Sequence, residues 1–251
     1  KDYSALSDTP RPSHADYAAH CKYHGFEDHR GGGHFSGRIT AAIVAACAII
    51  ESALEKKGIY IGTHIKELHG VRDAAFASYE SDIYALNERA FPVLSDEAEA
   101  QMRELIERAA GEGDSVGGIL ETAVIGLPAG VGEPWFDTLE GQIAHAIFSI
   151  PAVKGVEFGL GFGYANAYGS EANDALMTDG EKIYTETNNS GGICGGILAA
   201  SDPEGDEMVF EITSYPRHGS VILSDRSRGH YVYRPSAGYT GRDSFTYTVR
   251  D

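Results

Sequence analysis

The chain contains 251 residues, of which 42% are hydrophobic, and its formal net charge is −17. This length supports one or two domains with a hydrophobic core. The negative charge argues against binding to nucleic acid or to an anionic membrane, because both depend on clustered Lys and Arg. The three cysteines are scattered and form no CxxC pair, so neither a disulfide framework nor a zinc site is expected. The same pattern fits a protein of the reducing cytoplasm.

Hydrophobic runs along the sequence are short. No window approaches the roughly 18 consecutive apolar residues that cross a bilayer, and KDYSALSDTP at the start does not have the apolar core of a signal peptide. The sequence therefore predicts a soluble protein.

Three consecutive glycines lie in the most informative segment, residues 11–48, which reads RPSHADYAAHCKYHGFEDHRGGGHFSGRITAAIVAACA. Glycine lets the backbone approach a ligand closely, and the N-terminus of the helix that follows offers N–H groups to an anion. This favours a phosphate site. The spacing matches neither GxGxxG nor GxxxxGK[ST], and a tight turn without a ligand is the more common use of such a loop.

Five histidines fall within the same segment: His14, His20, His24, His29 and His34. His20 and His24 are four residues apart, but Cys21 stands where the HExxH motif has glutamate, so no metal site is expected. An imidazole can donate a proton to a departing phosphate oxygen near neutral pH. For each histidine, an exposed or merely hydrogen-bonded side chain is the ordinary alternative.

A helix is predicted directly after the glycines. Its apolar residues recur at steps of three and four: Ile39, Ile43, Cys47, Ile50 and Leu54. Gly58 stands just past its expected end. This apolar face is expected to pack on another part of the protein.

A second helix is predicted over about residues 96–110, with Ser95 as N-cap and Gly111 as C-terminal stop. Three of its apolar side chains are expected to face inward: Met102, Leu105 and Ile106. The runs GGILETAVIGLP and VKGVEFGLGF are β-rich and interrupted by glycine, so helices and strands are mixed here.

A third helix is predicted over about residues 138–149, with Asp137 as N-cap and Glu140 at the capping-box position. Trp135, just before it, is expected in the hydrophobic core, and stacking on a flavin is the alternative.

The pattern changes after Ile197. From Met208 onward, β-branched and aromatic residues alternate with polar ones between Pro and Gly turn signals, which predicts antiparallel hairpins in a small sandwich. A domain boundary is expected near residues 198–206. Three carboxylates in this boundary could bind calcium, although a solvated turn is the more common outcome: Asp202, Glu204 and Asp206.

Several blocks resemble those of chorismate synthases in the same order: DYSA, RPxHADY, KY-G--D and RGGG-x-x-S-x-R, then GDSVGGILETAVIGLPAGVGEPWFDTLEGQIAHAIFSIPAVKGVEFGLGF, GSEANDA and TNNSGGICGGI. The resemblance covers residues 1–197. It implies an α+β fold with helices between antiparallel sheets. This fold is expected to be incomplete, because the family's F-G-E-S-H-G, K-P-T-x-S-I and G-R-H-D-P motifs are not found in this sequence.

The resemblance also implies an activity, which the missing motifs could impair. Chorismate synthases eliminate phosphate in an anti-1,4 sense from 5-enolpyruvylshikimate 3-phosphate to give chorismate, and they require reduced FMN although no net redox change occurs. His14 matches the family histidine beside the leaving phosphate. A cytoplasmic homotetramer is expected by the same resemblance.

Six residues match family positions that contact FMN: His34, Phe35, Ser36, Pro151, Ala152 and Gly195. The family's usual Arg-Ser-Ser after the glycines is His-Phe-Ser in this chain. Any flavin contact through that arginine must therefore be made by His34 or be lost.

Residues 198–251 resemble part of a cadherin-like or bacterial Ig-like β module, through the DPEGD start, the HGSV hairpin and the GYTGRDSFTYTV ending. This module suggests the alternative function, a non-catalytic protein that binds a partner through loops or an open strand edge.

Overall fold

The computed structural model describes residues 9–28, 30, 32–178, 180, 183–199, 209–225, 230–241 and 243–250. The chain forms two compact units, residues 1–202 and residues 203–251. The helices of the first unit are α1 (Asp16–Tyr23), α2 (Thr40–Glu55), α3 (Tyr79–Asn87), α4 (Asp96–Gly111), α5 (Leu139–Ile147) and α6 (Gly169–Ala172). Its strands are β1 (Tyr60–Leu68), β2 (Val71–Arg72), β3 (Gly118–Ile125), β4 (Leu176–Thr178), β5 (Ile183–Thr185), β6 (Ile193–Cys194) and β7 (Ile197–Leu198). The predicted α+β class is confirmed.

The central element of the first unit is an antiparallel sheet in the order β2-β1-β3. Strand β1 pairs along its length with β3, from Tyr60 opposite Ile125 to Leu68 opposite Gly118. Helix α3 packs closely on β1, since a Cβ at Gly62 would lie 2.6 Å from Cγ1 of the fully buried Ile83. Glycine at position 62 therefore allows the helix to approach the sheet.

A polar network holds this sheet to the start of α4. The ring of His64 is fully buried, with Nδ1 2.7 Å from Oδ2 of Asp73 and Nε2 3.1 Å from Oε2 of Glu121. Asp73 also accepts hydrogen bonds from the backbone N–H groups of Leu94 and Ser95, at 2.7 and 2.9 Å. These contacts satisfy buried polar groups that would otherwise destabilise the fold.

Helix α4 confirms most of what its sequence predicts. The hydroxyl of Ser95 accepts a hydrogen bond from Ala98 N at 3.3 Å, and Gly111 ends the helix. Met102 is fully buried and Leu105 is 9% exposed, whereas Ile106 is 39% exposed, so its predicted inward position is wrong. The core lies on the Leu105 side of Met102, and Ile106 extends from the other side.

Helix α5 begins one residue later than predicted. Thr138 is its N-cap, with its hydroxyl accepting a hydrogen bond from Gly141 N at 3.0 Å. Asp137 belongs to the 3-10 turn before the helix, so its prediction as N-cap is wrong. The third helical position is then Gly141 and not Glu140, and glycine has no side chain to complete a capping box with Thr138.

Helix α2 has its predicted position but not its predicted packing. Its apolar residues remain exposed among the described residues, including Ile43 at 37%, Val44 at 66% and Ile50 at 57%. Together with the preceding turn it forms a 19-residue segment, Gly37–Glu55, with a mean hydropathy of 1.6. By length and composition alone this segment is apolar enough to cross a membrane, although charged residues interrupt its apolar run. The core helix of a soluble protein meets the same criterion.

The second unit contains four strands: β8 (Val209–Ser214), β9 (Gly219–Asp225), β10 (His230–Pro235) and β11 (Thr246–Arg250). They form two antiparallel pairs, β8 with β11 and β9 with β10. The predicted antiparallel strands are thus present, but an Ig-like sandwich is not shown within the described residues. The three carboxylates for which a solvated turn or calcium binding was considered, Asp202, Glu204 and Asp206, lie outside the described residues.

The carboxylate of Asp243 stabilises the turn before β9. Asp243 accepts hydrogen bonds from the backbone N–H groups of Arg217 and His218, at 3.0 and 2.8 Å, and from the Tyr233 hydroxyl at 2.9 Å. Burial raises the pKa of Asp243, but these hydrogen bonds outweigh it and hold the pKa below its usual range.

Candidate functional site

The site begins at an ion pair next to α1. Asp16 is the first residue of that helix, and its two carboxylate oxygens accept hydrogen bonds from Nε and a terminal nitrogen of Arg11, both at 2.8 Å. The Arg11 guanidinium therefore holds the pKa of Asp16 well below its usual range, although burial acts in the opposite direction. Asp16 is thus an ionised acceptor at neutral pH.

This carboxylate orients His14. Nδ1 of His14 lies 2.6 Å from Oδ1 of Asp16 and 3.2 Å from a terminal nitrogen of Arg11, so the ion pair holds the imidazole on its Nδ1 side. Nε2 lies beside the glycine loop, since a Cβ added at Gly32 would be 3.5 Å from it. Gly32 has a φ of +86°, a conformation that favours glycine. The structure thus places His14 next to the predicted loop.

A cavity of about 470 Å³ lies between α1 and this loop. Aromatic, imidazole and glycine groups line it, including Tyr17, His20, Phe26, Gly32, His34 and Phe35. Aromatic faces suit a planar ring and imidazoles suit polar or anionic substituents, although the lining also contains the carboxyl groups of Asp16, Glu27 and Asp28. The predicted residues His34 and Phe35 are therefore part of one cavity with the glycines.

Ser36 has a different position from its two neighbours. Its hydroxyl accepts a hydrogen bond from Arg38 N at 3.3 Å and caps the turn that leads into α2. It follows the cavity-lining residues directly, but its side chain serves local structure in this conformation.

A second imidazole was not assigned a role by the sequence. Nδ1 of His20 lies 2.9 Å from Oε1 of Glu27, and the ring also lines the cavity. The seven-residue separation matches no common motif, because a turn brings the two side chains together. Gly25, at φ +85°, forms part of that turn.

The other three predicted flavin contacts lie around α5 and are not brought together with the cavity. Pro151 and Ala152 form the turn after the helix, where Ala152 has a φ of +72°. Gly195 lies between β6 and β7, and the neighbouring Gly196 carbonyl accepts a hydrogen bond from Leu139 N at 3.0 Å. Pro151 and Ala152 thus lie at the C-terminal end of α5 and Gly195 lies near its N-terminal end, and the helix between them is about 13 Å long.

Trp135 is 84% exposed and has a φ of +64° in the turn before α5. Its predicted burial in the core is wrong, because no described element packs over this surface turn. Phe136, beside it, is 92% exposed.

These features define a class of protein: an α+β domain in which a glycine-rich turn, the ionised Asp16 carboxylate and the imidazoles of His20 and His34 border a cavity, with His14 beside the turn. The sequence profile of the chorismate synthase family matches residues 1–221, and the chain belongs to this family. The match extends beyond residue 197 into the segment that was expected to form an Ig-like module.

Similar proteins support this assignment. The chorismate synthase of Thermococcus kodakarensis is 47% identical over 197 residues, which are 78% of this chain and 54% of that protein. The chorismate synthase of Thermococcus gammatolerans is 45% identical over 231 residues, 90% of this chain and 60% of that protein. A crystal structure of chorismate synthase superimposes with a TM-score of 0.66 at 28% identity, covering 74% of this chain and 60% of that one. The chain thus spans about half the length of the curated relatives it matches.

Proposed function

We propose that this chain forms the part of a chorismate synthase active site that binds the phosphate of the substrate. Chorismate synthase is a lyase that converts 5-enolpyruvylshikimate 3-phosphate to chorismate. The observation that carries the proposal is the position of His14, held by Asp16 at 2.6 Å and adjacent to Gly32. The family match and the names of the relatives support the activity.

His14 assists departure of the phosphate. In a 1,4-elimination the bond between the ring carbon and the phosphate oxygen breaks and its electron pair leaves with phosphate, while a ring C–H bond breaks, its electron pair enters the new double-bond system and its proton passes to a base. An imidazolium at His14 donates a hydrogen bond from Nε2 to the departing phosphate, while the Asp16 carboxylate stabilises its positive charge. Glycine in the adjacent loop allows backbone N–H groups to approach the same anion.

The residues that line the cavity fit part of a reduced FMN. The aromatic faces of Tyr17 and Phe35 suit an isoalloxazine ring, and His34 lies beside them in place of the family's arginine. Ser36, Pro151, Ala152 and Gly195 are proposed as further contacts by family resemblance. When bound, reduced FMN supplies electron density transiently to the substrate.

The complete protein is proposed to be a cytoplasmic homotetramer in which helices lie between antiparallel sheets, as the family resemblance implies. In such layers the apolar face of α2 would be covered. This accounts for a predominantly apolar helix that the described residues leave exposed.

A binding measurement tests the role of His14. His14→Ala should weaken binding of 5-enolpyruvylshikimate 3-phosphate by about tenfold to a hundredfold, because a charge-assisted hydrogen bond is lost. Isothermal titration calorimetry measures the affinity. His145→Ala, at an exposed position in α5, is the control and should bind like the unsubstituted chain. Equal affinities for the His14→Ala variant and the unsubstituted chain would remove His14 from the site.

A further inference from the structure

The side chain of Asp174, between α6 and β4, forms hydrogen bonds with a loop about fifteen residues further along the chain. Its Oδ1 accepts hydrogen bonds from the Thr187 hydroxyl at 2.6 Å and from Asn189 N at 2.7 Å. Its Oδ2 accepts a hydrogen bond from Ser190 N at 2.7 Å. One carboxylate thus fixes three donors of the TNNSGG segment.

The network requires an ionised carboxylate. Burial raises the pKa of Asp174, but the hydrogen bonds from Thr187, Ser190 and Asn189 outweigh it and hold the pKa below its usual range. An amide at this position would present an NH₂ group to at least one donor, which breaks the arrangement.

The same loop is held on its other side by the glycine-rich segment after α5. Leu160 N donates to the Asn189 carbonyl at 2.7 Å, and a Cβ at Gly159 would clash with that carbonyl. The hydroxyls of Tyr164 and Ser190 are 3.0 Å apart. The loop therefore has one defined path.

This path leads directly into the turn between β6 and β7. Gly195 has a φ of +63° there, and a Cβ at this position would meet no described atom within 4 Å. Gly196 is packed tightly, since its Cβ would lie 2.5 Å from Cγ2 of Thr138. The turn is thus anchored behind Gly195 and open at Gly195 itself.

We propose that Asp174 is a positioning residue for the Gly195 turn: it fixes the start of the hairpin, so that the backbone at Gly195 is presented to the flavin in one orientation. This inference rests on the proposed function, in which Gly195 contacts FMN. Asp174 itself touches the loop and acts through it.

The test compares Asp174→Asn with Asp243→Asn. Asp243 holds the turn before β9 through the same type of backbone hydrogen bonds and lies in the other compact unit, so it controls for the general loss of a hydrogen-bonded carboxylate. FMN affinity is measured by flavin fluorescence, and the visible spectrum of bound FMN reports contacts to its ring. Asp174→Asn should weaken FMN binding about tenfold and shift that spectrum, whereas Asp243→Asn should do neither.

Thr187→Val removes a single donor and serves if Asp174→Asn does not fold. It should weaken FMN binding by about threefold, with a smaller spectral shift. If the unsubstituted chain binds no FMN, the proposed function fails and this inference with it. If the unsubstituted chain binds FMN and the Asp174 and Thr187 variants bind it equally well with the same spectrum, only the role of Asp174 is overturned.

Discussion

At the scale of single residues, His64 shows how one buried side chain can connect distant segments. Both of its ring nitrogens lie against carboxylate oxygens, one from Asp73 and one from Glu121. Burial raises the pKa of each carboxyl group, but hydrogen bonds hold both below their usual ranges, from Leu94 N and His64 to Asp73 and from Lys66 and His64 to Glu121. Both groups are therefore ionised acceptors in the folded state.

These lowered pKa values predict a loss of stability in acid. A carboxyl group with a lower pKa in the folded state stabilises the fold above its unfolded pKa, near 4, and this contribution is lost as pH falls through the folded value. The free energy of unfolding should therefore decrease below about pH 4. Urea denaturation at a series of pH values measures this.

Asp73→Asn identifies the contribution of one carboxyl group. The variant should be less stable at pH 7 and should show a smaller decrease in stability between pH 5 and pH 3, because a titrating group has been removed. The same pH dependence in the variant and the unsubstituted chain would contradict a role for Asp73.

The site illustrates how far single residues could be predicted. The RPSHADY motif identified His14, but the pairing of Asp16 with both Arg11 and His14 depends on the turn that begins α1. The contact between His20 and Glu27 has no sequence signal, because it forms across a turn. Pro151, Ala152 and Gly195 remain predictions from the family resemblance.

At the scale of elements, local pattern predicted where helices lie and tertiary packing decided which faces are buried. Ser95 and Gly111 correctly marked the ends of α4, because caps depend on neighbouring residues. The exposure of Ile106, Trp135 and the α2 face could not be predicted from the sequence pattern, since it depends on which elements pack against them. The start of α5 differed by one residue because Asp137 and Thr138 are both residue types favoured as N-caps, and the helix uses Thr138.

Helix α4 offers a matched pair of substitutions. Met102→Ala should lower the free energy of unfolding by about 2–4 kcal/mol, because it leaves a cavity beside Val93 and Ala98. Ile106→Ala, four residues further along and 39% exposed, should cost about 1 kcal/mol or less. Chemical denaturation measures both values. Equal losses would mean that the two side chains are equally buried.

At the scale of the whole molecule, the exposed face of α2 agrees with the partial coverage of the family fold. The chain matches 60% of the solved chorismate synthase chain, and the described residues leave Ile43, Val44 and Ile50 exposed. A continuous apolar surface of this kind promotes association.

The chain is therefore expected to self-associate in solution through α2. The double substitution Ile43→Ser and Ile50→Ser should shift sedimentation velocity profiles toward the monomer and reduce binding of a hydrophobic dye. Tyr168→Ser, at a residue that is 77% exposed outside α2, is the control. A monomeric unsubstituted chain that binds no dye would contradict this expectation.

The arrangement of His14 against the glycine loop is tested most directly by adding one methyl group. Gly32→Ala places a Cβ 3.5 Å from Nε2 of His14, whereas Gly113→Ala introduces an alanine at a similar positive φ of +75° with no described atom within 4 Å. FMN titration followed by flavin fluorescence should show weaker binding for Gly32→Ala, because Gly32 lines the cavity and the added methyl group takes up space there, and unchanged binding for Gly113→Ala. Equal FMN affinities in the two variants would contradict the assignment of this cavity as the flavin and phosphate site.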